Sequence, residues 1–243
     1  MSELIAIGDG HGMETPGKRT PFFPGTKKFM HENEFNRAVA DLLKVNLERC
    51  GFRTLIVAPG DSDVPLKQRT TTANKAKADF YISIHANALN GIWGNQQGVS
   101  TFHYPGSIQG KKAATMIHKY LIQGTSQKDR GVLSANFHVL RETKMPSVLV
   151  ECAFMDNLKE AQLLLTEAFR QECADDITKG ICEIFGKEYV AEDMSLSEAI
   201  SFWEKLGVVG DPAGMQADFS SGILRASRWK AFLIKTAKYV KKG

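Results

Sequence analysis

The sequence lacks several features that would place the chain in a special class of protein. It has no run of about 18 apolar residues, the length that a membrane-spanning helix needs. It has four cysteines among 243 residues, and none of them forms a Cys-x-x-Cys pair. That number and spacing exclude a disulfide framework and argue against a thiolate zinc site. We therefore expect reduced, buried thiols, and any bound metal must use histidine and carboxylate ligands.

The N-terminus lacks the pattern of a secretory signal peptide, because no basic segment precedes its short apolar run and Asp9 follows at once. We therefore expect the chain to be made and kept in the cytoplasm unless another process releases it. Internal repeats and low-complexity segments are also missing. With 43% apolar and 24% charged residues, the composition is that of an ordinary globular protein.

A net excess of positive charge is nearly absent outside the C-terminal part of the chain. The net charge is +4, and residues 193–243 alone contain eight basic and five acidic residues. An excess of this size, without an aromatic-basic motif, argues against nucleic-acid binding. We predict a linker at 188–194 and a small basic helical module at 195–243. The module either binds an anionic polymer or has a structural role, packing on the main domain or forming a homodimer.

Apolar runs and helical periodicity alternate through residues 1–187, where we predict one large domain. The expected strands are 4–8, 54–58, 80–85, 99–104 and 148–151, and the expected helices are 33–50, 66–78 and 111–121. A capping box formed by Asn157 and Glu160 would start one or two further helices that end near Phe185. Residues 12–31 show no periodicity and are expected to form a long loop. This order predicts an α/β fold with a mainly parallel twisted sheet flanked by helices.

Polar side chains lie at or just beyond the ends of three expected strands. They are His11, His85 and Glu151. Because active-site groups of such sheets lie at the carboxyl ends of parallel strands, these three residues are candidates for an active site. Two histidines and one carboxylate form a common catalytic zinc site, and Glu32 or Glu34 could supply the carboxylate. Glu151 would then be the general base. Other divalent ions also bind such ligands, and either histidine taken alone could be structural.

Seven stretches within residues 3–186 carry a resemblance to a known family. They are 7–12 (IGDGHG), 32–36 (ENEFN), 66–74, 78–88, 130–132 (RGV), 139–141 (VLR) and 145–151 (MPSVLVE). In this order they resemble the zinc-dependent N-acetylmuramoyl-L-alanine amidases of the amidase-3 class, found among phage endolysins and bacterial autolysins. The resemblance implies hydrolysis of the amide between the lactyl group of N-acetylmuramic acid and L-Ala of the peptidoglycan stem peptide.

The resemblance also implies roles for individual residues. One zinc ion per chain would be bound by His11, Glu32 and His85, with Glu151 as the catalytic carboxylate. Glu32 fits the register of the family's Glu-x-x-Phe/Leu-Asn motif, and Glu34 remains the competing ligand. The family usually has Asp-Pro-Gly-His-Gly, whereas Asp9 stands one residue closer to the histidine here. That displacement leaves open which group orients the His11 ring.

Four further residues are predicted to contact substrate: Asn87, Arg130, His138 and Arg141. Either arginine could stabilise the oxyanion or could be structural. Peptidoglycan is the expected partner, and the C-terminal module would bind anionic wall polymers. Because peptidoglycan lies outside the membrane, a chain without a signal peptide would act on the wall only after release at lysis. Two alternatives remain: a zinc peptidase that cuts within the stem peptide, and an inactive wall-binding protein.

Overall fold

The computed structural model describes residues 2–191, together with 211, 213–215 and 217. The chain divides into two compact units, Met1–Ala191 and Glu192–Gly243. The described part of the first unit contains six strands and six helices. The strands are β1 (Leu4–Asp9), β2 (Arg53–Ile56), β3 (Phe80–Asn87), β4 (Val99–His103), β5 (Asp129–Ser134) and β6 (Ser147–Phe154). The helices are α1 (Glu32–Arg49), α2 (Leu66–Lys75), α3 (Ile108–Gly124), α4 (His138–Arg141), α5 (Leu158–Leu164) and α6 (Glu167–Phe185).

The six strands form one sheet in the order β2-β1-β3-β6-β4-β5. Neighbouring strands are parallel throughout, except that β4 runs antiparallel to β6. The prediction of a mainly parallel sheet flanked by helices is therefore confirmed for the first unit. The central strands β1, β3 and β6 end at the same edge, where the polar residues of interest follow.

The central strands are apolar on both sides because helices cover both faces of the sheet. Ile5 and Ile7 of β1 belong to the larger core cluster, which also contains buried residues of α1, α3 and α6. Ala6, between them, belongs to the smaller cluster, with Tyr81 and buried residues of α2 and α4. This alternation explains why these strands are apolar runs without a polar face. All four cysteines are buried and free, as expected.

Two local features differ from the sequence-based expectation. The strand β5 was not predicted, because Asp129 and Arg130 are exposed at the edge of the sheet and the segment has little apolar periodicity. Asn157 caps α5 by accepting hydrogen bonds from the backbone N–H groups of residues 159 and 160. The expected return bond from Glu160 is absent among the described contacts. That carboxylate instead accepts from the backbone N–H groups of Gly98 and Phe154, at 2.9 and 2.7 Å.

Residues 188–191 contain no helix or strand, and the linker at 188–194 stays a prediction. The rest of the linker and the helices predicted at 195–206 and 219–240 lie outside the described residues. Among the residues that the structure describes, no helix is both long and apolar enough to cross a membrane.

Candidate metal centre and active site

The site lies where β1, β3 and β6 end and α1 begins. Residue pairing places Asp9 opposite Ile84, so His11 follows the end of β1 close to His85. His85 on β3 pairs directly with Glu151 on β6, and side chains at paired positions of neighbouring strands lie on the same face of a sheet. Glu32 is the first residue of α1 and is buried.

The three expected metal ligands lie together. Glu32 is central: its Oε2 is 3.3 Å from His11 Nε2, and its Oε1 is 3.0 Å from His85 Nδ1. One ligand atom from each residue can be chosen so that all lie within 4.8 Å of one another. Glu34 is not part of this group, because its Oε1 accepts a hydrogen bond from the His31 backbone N–H at 2.7 Å at the start of α1.

The backbone that presents His11 is held in an uncommon conformation. His11 has a φ of +63°, in the left-handed region that L-residues seldom adopt. Its carbonyl oxygen accepts hydrogen bonds from Arg69 Nη2 at 2.8 Å and from Asn33 Nδ2 at 3.1 Å. The carbonyl of Gly10 accepts from Asn33 and also from Asn36 Nδ2, at 3.0 and 2.9 Å. Buried amide and guanidinium groups thus fix the turn that carries the histidine.

Separate contacts orient the other two side chains. Asn36 Nδ2 also donates to Glu32 Oε1 at 3.2 Å. Ser83 lies two residues before His85 on the same face of β3, and its Oγ is 3.0 Å from His85 Nε2. With Nδ1 facing Glu32, this hydroxyl gives the second ring nitrogen a partner. Such partners fix the ring orientation and tautomer of metal-binding histidines.

The displaced aspartate supports the site without touching the His11 ring. Asp9 is fully buried, and its Oδ2 accepts from Arg37 Nε at 2.5 Å and from Asn33 Nδ2 at 3.3 Å. Burial raises the pKa of Asp9, and the Arg37 guanidinium opposes that rise. Asp9 therefore ties β1 to α1, whereas the carboxylate beside the His11 imidazole is that of Glu32, and the His85 ring packs edge-on against that imidazole with the ring centroids 5.1 Å apart.

The electrostatics of the cluster favour metal binding. Burial lowers the pKa of His11 to about 4, although the charge of Glu32 acts in the opposite direction. The imidazole is therefore neutral near pH 7, which is the form that binds a metal ion. The pKa of Glu32 lies below its usual value, because its hydrogen bond to His85 and the neighbouring charges outweigh the effect of burial.

Glu151 differs from Glu32 in the direction of its pKa shift and in its hydrogen bonds. Its pKa is raised well above the usual value, first by burial and then by the negative charge of Glu32. Its buried Oε2 has no hydrogen-bond partner within the part of the chain that the structure describes. A carboxylate oxygen left without a partner in a protein interior lowers stability, so its presence calls for an explanation such as a catalytic role. Both properties are those expected of a proton acceptor beside a metal site.

A cavity of about 620 Å³ opens over this cluster. Its polar wall includes His11, His85, Glu151, Lys18 and Arg69. The apolar side chains that line it are Pro65, Leu66, Phe137, Val139 and Leu149. A pocket with converging polar groups and an apolar wall is the usual form of a site for an organic substrate.

Comparison with known proteins identifies the family. The family model described as N-acetylmuramoyl-L-alanine amidase (Amidase_3) matches residues 5–183. This is most of the chain. The chain belongs to this amidase family. Membership makes the protein a peptidoglycan amidase.

The relatives include bacterial amidases and a phage endolysin. The sporulation-specific N-acetylmuramoyl-L-alanine amidase of Bacillus subtilis is 35% identical over 185 residues, which cover 74% of this chain and 68% of that protein. The endolysin of Bacillus phage SPP1 is 32% identical over 192 residues, covering 76% of this chain and 66% of the endolysin. The catalytic domain of CwlV from Bacillus (Paenibacillus) polymyxa var. colistinus superposes with a TM-score of 0.68 at 32% identity. That match covers 76% of this chain and 99% of the CwlV domain.

The predicted substrate-binding residues of this amidase fall into two groups. His138 lines the cavity, and its buried Nε2 has no hydrogen-bond partner among the described residues. The other three, Asn87, Arg130 and Arg141, are not among the residues that line it. Arg130 lies over the Phe154 ring, and Arg141 bonds to Asn136 and Glu142.

Sequence reasoning missed some residues that line the cavity. Ser83 could have been found from its spacing, because residues two apart on a strand share a face. Lys18 and Asp63 lie in loops without periodicity, so no pattern placed them at the site. Arg69 was interpreted as a scaffold residue, and its bonds to backbone carbonyls fit that role.

Proposed function

We propose that the chain hydrolyses the amide between the lactyl group of N-acetylmuramic acid and L-Ala of the stem peptide, using one zinc ion. The observation that carries the proposal is the convergence of His11, Glu32 and His85 beside a carboxylate, Glu151, that has an unpaired oxygen. Family membership supplies the substrate class, peptidoglycan.

The chemistry of the three side chains fits zinc. Two ligand atoms bound tetrahedrally at 2.0–2.2 Å lie about 3.4 Å apart. Glu32 lies 3.3 Å from His11 through Oε2 and 3.0 Å from His85 through Oε1, and one ligand atom from each of the three residues lies within 4.8 Å of the others, so a small movement brings them to zinc-binding distances. Two histidines and a glutamate are a known catalytic zinc set, which leaves a position open for water or substrate. When bound, the ion supplies Lewis acidity, which polarises the scissile carbonyl and acidifies water.

Glu151 moves the proton in this mechanism. Its unpaired Oε2 accepts a proton from the attacking water, and the carboxylic acid then gives that proton to the nitrogen of the leaving L-Ala. The raised pKa of Glu151 makes the protonated form accessible for the second transfer. His11 and His85 are the proposed metal ligands and take no part in the proton transfer.

Digestion of purified Gram-positive peptidoglycan, with mass analysis of the products, tests the proposal. We expect free peptides that begin with L-Ala and glycan chains that keep intact lactyl groups. Glu151→Gln and chelator-treated protein should release neither, and added zinc should restore the chelated sample. Glu14→Gln, a change at an exposed carboxylate in the 12–31 loop, is the matched control and should digest normally.

The other outcomes identify the alternatives. Fragments cut within the stem peptide would show a zinc peptidase. Binding to several wall types without any cleavage would show a wall-binding protein. If a different divalent ion restored the activity of the chelated protein and zinc did not, the proposed metal would be wrong and the proposed reaction would stand.

We also propose that residues 195–243 bind anionic wall polymers, supported by their excess of basic residues. Co-sedimentation of the full chain with walls, before and after chemical removal of the anionic polymers, tests this. Binding should fall after removal and should weaken with salt. Equal binding to both preparations would leave the module with a structural role. Release of the chain at lysis stays a prediction.

A further inference from the structure

Lys18 brings a positive charge to the wall of the cavity. Its Nζ lies 3.9 Å from Glu32 Oε2, too far for a hydrogen bond. Its charge also acts on His11 and Glu151, where it lowers the pKa of each group. The ammonium therefore lies near both the metal ligands and the proton acceptor, and none of the described residues forms a hydrogen bond with it.

The backbone around Lys18 is built into the site. The Lys18 carbonyl oxygen accepts a hydrogen bond from the Glu32 backbone N–H at 2.9 Å. The next residue, Arg19, pairs with His31 in an antiparallel bridge. The loop is thus fixed to the first turn of α1, and the position of Lys18 follows that of Glu32.

No other permanently charged cation in the described lining of the cavity is free to act. Arg69 also lines it, but its guanidinium donates to the carbonyl oxygens of Val64, Asp9 and His11. The two arginines considered from the sequence, Arg130 and Arg141, do not line the cavity. The reaction develops negative charge on the carbonyl oxygen, and a positioned cation stabilises such charge strongly.

We propose that Lys18 is a catalytic residue whose ammonium donates a hydrogen bond to the oxyanion formed at the scissile carbonyl. The inference rests on the proposed amidase function. The water oxygen bonds to the carbonyl carbon while Glu151 accepts the water proton. The carbon–nitrogen bond then breaks, Glu151 returns the proton to the leaving amine, and Lys18 keeps its own proton throughout. The products are a carboxylic acid and an amine, which ionise in solution to a carboxylate and an ammonium, and the sum is one water added across the amide.

Steady-state kinetics on a soluble muropeptide, at saturating zinc, test the assignment in Lys18→Met, Lys18→Arg and the wild type. We expect kcat of Lys18→Met to fall about 100-fold while KM changes less than threefold, since the interaction forms in the transition state. Lys18→Arg should recover part of the loss. Lys28→Met, at an exposed lysine of the same loop, is the control and should behave as wild type.

Lys18 could instead only compensate the negative charge of Glu32 and so support metal binding. Measuring the zinc affinity of the metal-free protein separates that role from oxyanion stabilisation. We expect Lys18→Met to bind zinc as tightly as the wild type or more tightly, because a positive charge near the ion has been removed. A kcat within threefold of wild type, or a loss that follows weaker zinc binding, would overturn the assignment. A wild type that releases no L-Ala peptide would instead overturn the proposed function.

Discussion

Asn36 and Glu32 lie one helical turn apart on α1, and Asn36 Nδ2 donates to Glu32 Oε1 at 3.2 Å while also donating to the Gly10 carbonyl at 2.9 Å. One buried amide thus joins a proposed ligand to the turn that carries another, His11. The spacing of the two residues makes this contact possible, because residues four apart share a helix face.

Loss of this amide should weaken metal binding more than it weakens the fold. We expect Asn36→Ala to reduce zinc affinity about 10- to 100-fold, as removal of a partner of a metal ligand commonly does. Competition with a chromogenic chelator measures the affinity. Asn95→Ala, at an exposed amide, should leave the affinity unchanged. Equal zinc affinity in Asn36→Ala and wild type would show that Glu32 is held without this contact.

Gly10 allows the backbone of the His11 turn to pass close to the His85 ring. A Cβ atom at residue 10 would overlap the ring at Cε1 and Nδ1. Gly10→Ala should therefore displace His85 and lower zinc affinity by at least about 10-fold. Gly94→Ala is a suitable control, because its Cβ would meet only the movable end of the Gln96 side chain. Normal zinc binding by Gly10→Ala would contradict the packing of residue 10 against His85.

The sequence predicted the residues whose positions follow from regular structure. His85 and Glu151 could be placed together because parallel strands end at one edge of the sheet, and their pairing across β3 and β6 is the detailed reason. Glu32 followed from its motif register. The loop that carries Lys18 could not be placed, because its course depends on hydrogen bonds between residues 18–20 and 30–32 that leave no periodic pattern. The edge strand β5 was missed because it, too, has little apolar periodicity.

His138 should contact substrate within the cavity, where its Nε2 has no described partner. We expect His138→Ala to raise KM about 10-fold on both a short muropeptide and intact peptidoglycan, the loss of one hydrogen bond. Arg141 lies outside the cavity lining, so Arg141→Ala should leave KM on the muropeptide unchanged and raise it only on the polymer. A Michaelis series on the two substrates checks both. An unchanged KM on the muropeptide in His138→Ala would remove His138 from the substrate site.

Asp156 holds the segment that follows β3. Its fully buried side chain accepts three backbone hydrogen bonds through Oδ2, from Leu89, Asn90 and Gly91, at 2.7 to 3.1 Å. Asp156→Ala leaves these N–H groups without their acceptor, and we expect a loss of about 3 kcal/mol in the free energy of unfolding. Urea denaturation followed by circular dichroism measures it. Asp61→Ala, at an exposed aspartate, is the comparison, and a loss below 1 kcal/mol at Asp156 would contradict this role.

Asp176 predicts a pH dependence of stability away from the active site. It is buried in α6, where Lys179 Nζ donates to its Oδ1 at 2.8 Å and its Oδ2 has no described partner. Burial raises its pKa above 3.8, and the Lys179 bond only partly opposes this. Between pH 3.8 and the raised value, the folded chain binds more protons at Asp176 than the unfolded chain does.

The ionised Asp176 therefore makes the folded state less stable as pH rises through that interval, and the loss persists at neutral pH. Asp176→Asn removes the ionisation. Its free energy of unfolding relative to wild type should increase from pH 3 to pH 7. Urea denaturation at several pH values measures the difference. Asp175→Asn, at a residue whose Oδ1 accepts a hydrogen bond from Asn46 Nδ2 at 2.8 Å, serves as a comparison on the same helix. If the difference in free energy of unfolding between Asp176→Asn and wild type stayed constant with pH, Asp176 would titrate alike in the folded and unfolded states. If the difference decreased from pH 3 to pH 7, the Lys179 ion pair would outweigh burial.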